Sequence, residues 1–189
     1  EISPRELSGL HTLQQVFLSD NRLREIPTFR SARLNHLYIG GNNISRILPD
    51  TFNGVTRLFY LDLSRNSLDN PGIETGAMNP LSYLLYLWLR ENKLTRVPSG
   101  LPRSVKKLHL EGNLITAVES NAFTGLSAVT SINLAYNRIY DVENGAFVGV
   151  DYLRNLDLTG NRLTSLPAGL EDMRSLRSLV LTNNSITDI

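Results

Sequence analysis

Apolar and polar residues alternate along this chain in a pattern that returns again and again. Leu, with Val or Ile as substitutes, fills the first, fourth, sixth and eleventh places of a run, and Asn fills the ninth. The runs begin at Leu13, Leu34, Leu58, Leu84, Val105, Val129, Leu153 and Leu176, at spacings of 21 to 26 residues. Alternation across the third to sixth places predicts a short strand, because neighbouring strand residues face opposite ways and the fourth and sixth then point into one core. The chain must bend directly after that strand, which strands backbone donors and acceptors away from water. A buried amide side chain can satisfy both kinds, which accounts for Asn21, Asn42, Asn66, Asn92, Asn113, Asn137, Asn161 and Asn184.

A period in this range is that of a leucine-rich-repeat solenoid. The expected fold is an α/β-type repeat protein, a right-handed horseshoe. Short parallel strands line its concave face, and irregular, 3-10 or polyproline-like returns form its convex face. Residues 1–189 read as one domain of eight strand-bearing units. The longer units carry a segment such as Phe52-Asn53-Gly54-Val55, Ala122-Phe123-Thr124-Gly125-Leu126 or Ala146-Phe147-Val148-Gly149-Val150, whose Phe is expected in the core. The shorter ones return through Ile26-Pro27, Val97-Pro98 with Leu101-Pro102, and Leu166-Pro167, where a fixed φ suits an extended path. The order is short, long, long, short, long, long, then a unit of 23 residues.

Residues 2–13 read as the back half of a unit, and Ile189 follows the last turn closely, so both ends are expected to fall mid-repeat, with caps beyond them. Zero cysteines then leave the redox compartment open, because disulfides of such proteins belong to caps. A net charge of +1 gives no electrostatic footprint for nucleic acid. The apolar run Leu84 to Leu89 is far short of the roughly 18 residues of a membrane span.

The short-long-long rhythm, with Asn70-Pro71-Gly72-Ile73-Glu74-Thr75-Gly76-Ala77-Met78 followed by Leu94-Thr95-Arg96-Val97-Pro98-Ser99-Gly100-Leu101-Pro102, resembles the small leucine-rich proteoglycan family. Within it the segment is most similar to the decorin, biglycan and asporin branch, with podocan and extracellular matrix protein 2 sharing much of it. Met78 departs from the usual Phe. The resemblance implies a secreted protein of the extracellular matrix that binds fibrillar collagen and growth factors and often carries glycans. Two sequons point independently toward secretion, at Asn43 and Asn183.

Positions three and five of each unit are expected to project from the concave face. In units one to four they supply Phe17, Tyr38, Tyr60, Tyr86 and the single tryptophan, Trp88, with Phe59 alongside and His36 and His109 at the borders. Aromatic side chains bury large areas at low entropic cost, so the stripe is a candidate protein-binding surface or homodimer face. The competing reading is that these rings only satisfy strand propensity and stack on one another. Asn133, Asn155, Asp157 and Arg154 form a polar continuation suited to hydrogen bonds with a collagen backbone. A basic group of Arg103, Lys106, Lys107, Arg90 and Lys93 is a candidate for sulfated glycosaminoglycan. The chain offers no enzyme signature: His11, His36 and His109 are dispersed, and there is neither a cysteine nucleophile nor a phosphate loop. No cofactor is expected. The alternative function is the ectodomain of a leucine-rich-repeat signalling or innate-recognition receptor.

Overall fold

The computed structural model describes residue 7 and residues 9–188; most of the amino-terminal half-unit expected before Leu10, and Ile189, lie outside the described residues. Eight three-residue strands form one parallel sheet: β1 (Gln15–Phe17), β2 (His36–Tyr38), β3 (Tyr60–Asp62), β4 (Tyr86–Trp88), β5 (Lys107–His109), β7 (Ser131–Asn133), β9 (Asn155–Asp157) and β10 (Ser178–Val180), adjacent in that order. Position three pairs with position three in every unit, Gln15 beside His36 and His36 beside Tyr60, so the register of the sheet is that of the sequence repeat. The middle residue of each strand points inward. Leu37, Leu61, Leu87, Leu108, Ile132 and Leu156 are all 0–1% exposed.

The Asn ladder closes the turns as the pattern requires. Asn66 donates through Nδ2 to the carbonyls of Ile39 (3.1 Å), Leu63 (3.1 Å) and Ser64 (3.2 Å), and its Oδ1 accepts the N–H of Ile44 at 2.9 Å. Asn66 therefore bonds its own unit and the one before it, and the same bridging recurs at Asn42, Asn92, Asn113, Asn137, Asn161 and Asn184. Asn21, expected in the ladder, is instead exposed at the end of the row and among the described residues bonds only Leu18 and Ser19 of its own unit. The residue preceding the Asn is left-handed in all eight units: Asp20, Gly41, Arg65, Glu91, Gly112, Tyr136, Gly160 and Asn183, with φ between 51° and 69°. That conformation turns the chain sharply enough to direct the amide inward, at a cost of roughly 1–2 kcal/mol wherever the residue is not glycine.

Opposite the strands, Phe52, Phe123 and Phe147 are buried as expected, the last two stacked with centroids 5.8 Å apart. Met78, 2% exposed, is packed into the same core. In the short units the prolines are themselves core: Pro27, Pro98, Pro102 and Pro167 are buried. The returns contain a 3-10 turn at Leu170–Asp172 and a parallel pair, β6 (Ala117–Val118) with β8 (Asp141–Val142), plus an isolated bridge between Ile47 and Ile73. Both back-side pairings join two successive long units. These two pairings follow the short-long-long rhythm, while among the described residues a single backbone bond, Thr187 N–H to Thr164 O at 3.2 Å, joins the returns of the last two units.

Candidate functional site

The stripe predicted on the sheet is present, and its rings form a connected stack. Phe17 lies on Tyr38 with centroids 4.6 Å apart and planes 4° from parallel, and Tyr38 meets Tyr60 at 4.8 Å. Tyr60 touches both Tyr86 and Trp88 at 6.2 Å. Trp88 is stacked flat on His109, 3.7 Å and 2°. Parallel strands in strict register bring this about, because they set equivalent side chains about 4.8 Å apart, close to ring-stacking distance. Stacking leaves Tyr38, Tyr60, Tyr86 and Trp88 half-buried, while Phe17 at the end of the row is 67% exposed. His36, Phe59, Tyr60, Tyr86, Trp88, Lys107 and His109 line an open hollow of about 470 Å³.

Charges border the rings. Arg90 lies over Trp88 (5.6 Å to the ring centre) and Lys107 over Tyr86 (5.7 Å). His109 Nδ1 is 3.3 Å from Glu111 Oε1, and Asp62 Oδ1 accepts the N–H of Ser64 at 2.9 Å. Burial, reinforced by the Asp62 carboxylate and Tyr38, pushes the Tyr60 phenol up to about 12, against a lowering influence from Arg90. At the strand-exit edge of Trp88, four buried polar atoms have no hydrogen-bond partner among the described residues: Ser64 Oγ, Trp88 Nε1, Arg90 Nε and Glu111 Oε2.

The polar continuation is more committed to its own fold. Asn133 Oδ1 accepts the N–H of Ala135 at 2.9 Å, and Asp157 Oδ1 accepts both the N–H and the hydroxyl of Thr159 at 2.9 and 2.6 Å. Position five there caps the turn that follows, as Asp62 does in the third unit. Asn155 and Arg154 are exposed. The basic group divides, because Lys106 and Lys107 stand at the strand-entry side, while Arg90 and Lys93 follow their strand and Arg90 packs on Trp88. Asn43 and Asn183 are both exposed. His36 and His109 sit on β2 and β5, three strands apart.

Comparison with known proteins agrees with the geometry. The model described as "Leucine rich repeat" matches residues 28–70 and 103–163, and that described as "Leucine Rich repeats (2 copies)" matches 153–189. The chain belongs to the leucine-rich-repeat family. Decorin of Rattus norvegicus is 35% identical over 167 residues, covering 88% of this chain and 47% of decorin. Keratocan of Bos taurus is 36% identical over 132 residues, 69% of this chain and 37% of keratocan. Both are small leucine-rich proteoglycans of the extracellular matrix. The chain spans less than half the length of these relatives. Among solved structures, a chain of the octameric complex of latrophilin 3, Unc5D and FLRT2 (LRR) superposes with TM-score 0.82 at 27% identity, covering 96% of this chain and 63% of that one. A leucine-rich-repeat protein of Leptospira interrogans superposes with TM-score 0.77 at 26% identity, covering 97% and 46%. Among the described residues no helix is long and apolar enough to cross a membrane.

Proposed function

We propose that this leucine-rich-repeat chain is a non-catalytic, secreted extracellular matrix scaffold. It binds an extended protein partner, fibrillar collagen or a growth factor, through the aromatic half of its inner face. The observation that carries the reading is the continuous stack from Phe17 through Tyr38, Tyr60 and Trp88 to His109. Ring-on-ring packing does explain part of why these residues tolerate a strand surface. It also holds the rings in one geometry before any partner arrives, which lowers the ordering cost of binding. Four strands at about 4.8 Å give a patch well over 10 Å long, and large exposed aromatic patches on soluble proteins mark interaction sites. Tyr86 and Trp88, bordered by Lys107 and Arg90, are the anchors of this surface, and Asn155 extends it. Asn43 and Asn183 are its candidate glycan sites.

Likeness to decorin and keratocan supports the matrix assignment. The likeness to a complex that contains FLRT2 (LRR) with latrophilin 3 and Unc5D supports the second reading, a receptor ectodomain whose repeats dock other extracellular domains. Binding to immobilised fibrillar collagen, compared with Tyr60→Ala/Tyr86→Ala/Trp88→Ala protein of verified fold, separates them. Saturable binding that the variant loses supports the collagen reading. Binding by neither protein, with a monomer in sedimentation, transfers the weight to the receptor reading, and a dimer lost in the variant makes the stripe a self-association face.

A further inference from the structure

We propose a second binding site, at the strand-entry side of the last four units, that takes a linear sulfated polysaccharide. The residue in position two of each unit is hydrogen-bonded to its counterpart in the unit before: Thr130 N–H to Lys106 O (2.9 Å), Arg154 N–H to Thr130 O (2.9 Å) and Arg177 N–H to Arg154 O (2.8 Å). This register sets Lys106, Arg154 and Arg177 in one row, with Lys107 beside them at the head of the adjoining row on β5. All four are exposed, and among the described residues none lies within 4.0 Å of a carboxylate, the ion pairs being Arg46–Glu74, Arg65–Asp20 and His109–Glu111. Of the acids nearest in sequence, Asp151 and Asp172 belong to the returns, and Glu111, beyond the exit end of β5, lies against His109. Asp157, in the next row of the face, is occupied by Thr159.

Between the cations the same two rows hold Thr130, Ser131, Asn155 and Ser178, three hydroxyls and an amide. From Lys106 to Arg177 is three strand steps, about 14 Å. The row is therefore a straight strip of cations and neutral hydrogen-bonding groups without a carboxylate or an apolar side chain in it. That composition chooses the partner. An acidic polypeptide gains most of its affinity from buried aromatic or aliphatic anchors, for which these eight positions provide no seat. A sulfated sugar chain presents anions and hydroxyls in alternation along a stiff backbone, and asks only for cations and hydrogen-bond partners. The corresponding row of the first four units, Gln14, Asn35, Phe59 and Leu85, carries no charge, so the site is confined to one half of the molecule. This inference uses none of the rings of the aromatic surface; Lys107, which lies over Tyr86, and Asn155 are where the two surfaces meet.

The test is titration of the full chain with a heparin octasaccharide as probe in about 0.1 M salt, where charges act over about 10 Å, and again near 1 M, where they act over about 3 Å. Expected are saturable binding that is lost at high salt, and weakening by about tenfold or more in Lys106→Ala/Arg154→Ala/Arg177→Ala protein, as the product of three exposed charge contacts. Phe17→Ala/Tyr38→Ala protein, altered in the aromatic half away from Lys107, keeps wild-type affinity. Absence of binding at the lower salt, equal binding by the triple variant, or equal binding of poly-glutamate each overturns the proposal. All three substituted residues are exposed, so thermal melting confirms that the variant retains the fold.

Discussion

On β2 to β4, positions three and five hold Tyr38, Tyr60, Tyr86 and Trp88 with His36 and Asp62, whereas on β7, β9 and β10 they hold Ser131, Asn133, Asn155, Asp157, Ser178 and Val180. Behind both sets the carbonyls, ladder amides and buried leucines repeat nearly unchanged: Asn92 and Asn137 each span two units with the same bond pattern at 3.0–3.3 Å. The difference teaches that the solenoid separates fold from recognition. Inward positions are dictated by packing and turn closure, and outward positions can change from rings to hydroxyls without disturbing the register. An aromatic half that organises itself by stacking and a polar half that leaves its cations free are two recognition surfaces on one frame.

The largest effects should come from the part the two halves share. Asn92→Ala and Asn137→Ala each strip the partners from several buried backbone groups and should each cost about 2–4 kcal/mol in urea unfolding. Costs that differ by more than about 1 kcal/mol would break the claim of a uniform frame. Next come the surfaces. Trp88→Ala removes the flat contact with His109 and the floor beneath Arg90 and should cost about 2 kcal/mol, while Asn155→Ala in the equivalent polar region should stay within about 0.5 kcal/mol. Equal costs would mean that the stack contributes nothing to the fold.

Smaller still are two turn glycines of the last four units, one beside the aromatic half and one deep in the polar half. At Gly112 (φ 69°) an added Cβ would lie 3.1 Å from the flexible Glu91 Cγ, and at Gly160 (φ 67°) it would lie 2.7 Å from the Tyr136 ring. Alanine should therefore cost about 1 kcal/mol at Gly112 and more at Gly160, readable as a difference in melting temperature. The smallest expected effect is a pH one. The folded-state pKa of Tyr60 is raised from the ordinary 10.0 to about 12, so its contribution to stability is complete below pH 10 and fades as pH rises through 12. Tyr60→Phe protein should unfold less steeply than wild type across that window, with no difference at neutral pH.

Much of this arrangement was legible in the residues. Leucines at places one, four and six with Asn at nine located all eight strands, and positions three and five named the stacked rings, because strand alternation leaves little freedom. The left-handed turn before each ladder Asn was harder to see. Its occupants range from Gly41 to Arg65 and Tyr136, so no single residue type signals a conformation that the surrounding hydrogen bonds impose. The capping role of Asn133 and Asp157 was also hidden, since a polar side chain at position five reads equally as a ligand contact or a turn cap. The cationic strip needed the pairing of position two across units. Lys106, Arg154 and Arg177 are distant in sequence, and Arg90 and Lys93, which sequence proximity grouped with Lys106, belong to the other end of their strand.

Trp88 is the only tryptophan of the chain and sits at the centre of the proposed contact surface, so its fluorescence reads the central claim without a label. The decisive measurement is a titration of the intact chain with soluble fibrillar-type collagen, following Trp88 emission and its accessibility to a neutral quencher beside a direct binding signal. Occupation of the aromatic half predicts a saturable emission shift and loss of quenching with the same midpoint as binding. Full binding with Trp88 emission and quenching unchanged would contradict the account and place the partner elsewhere on the solenoid.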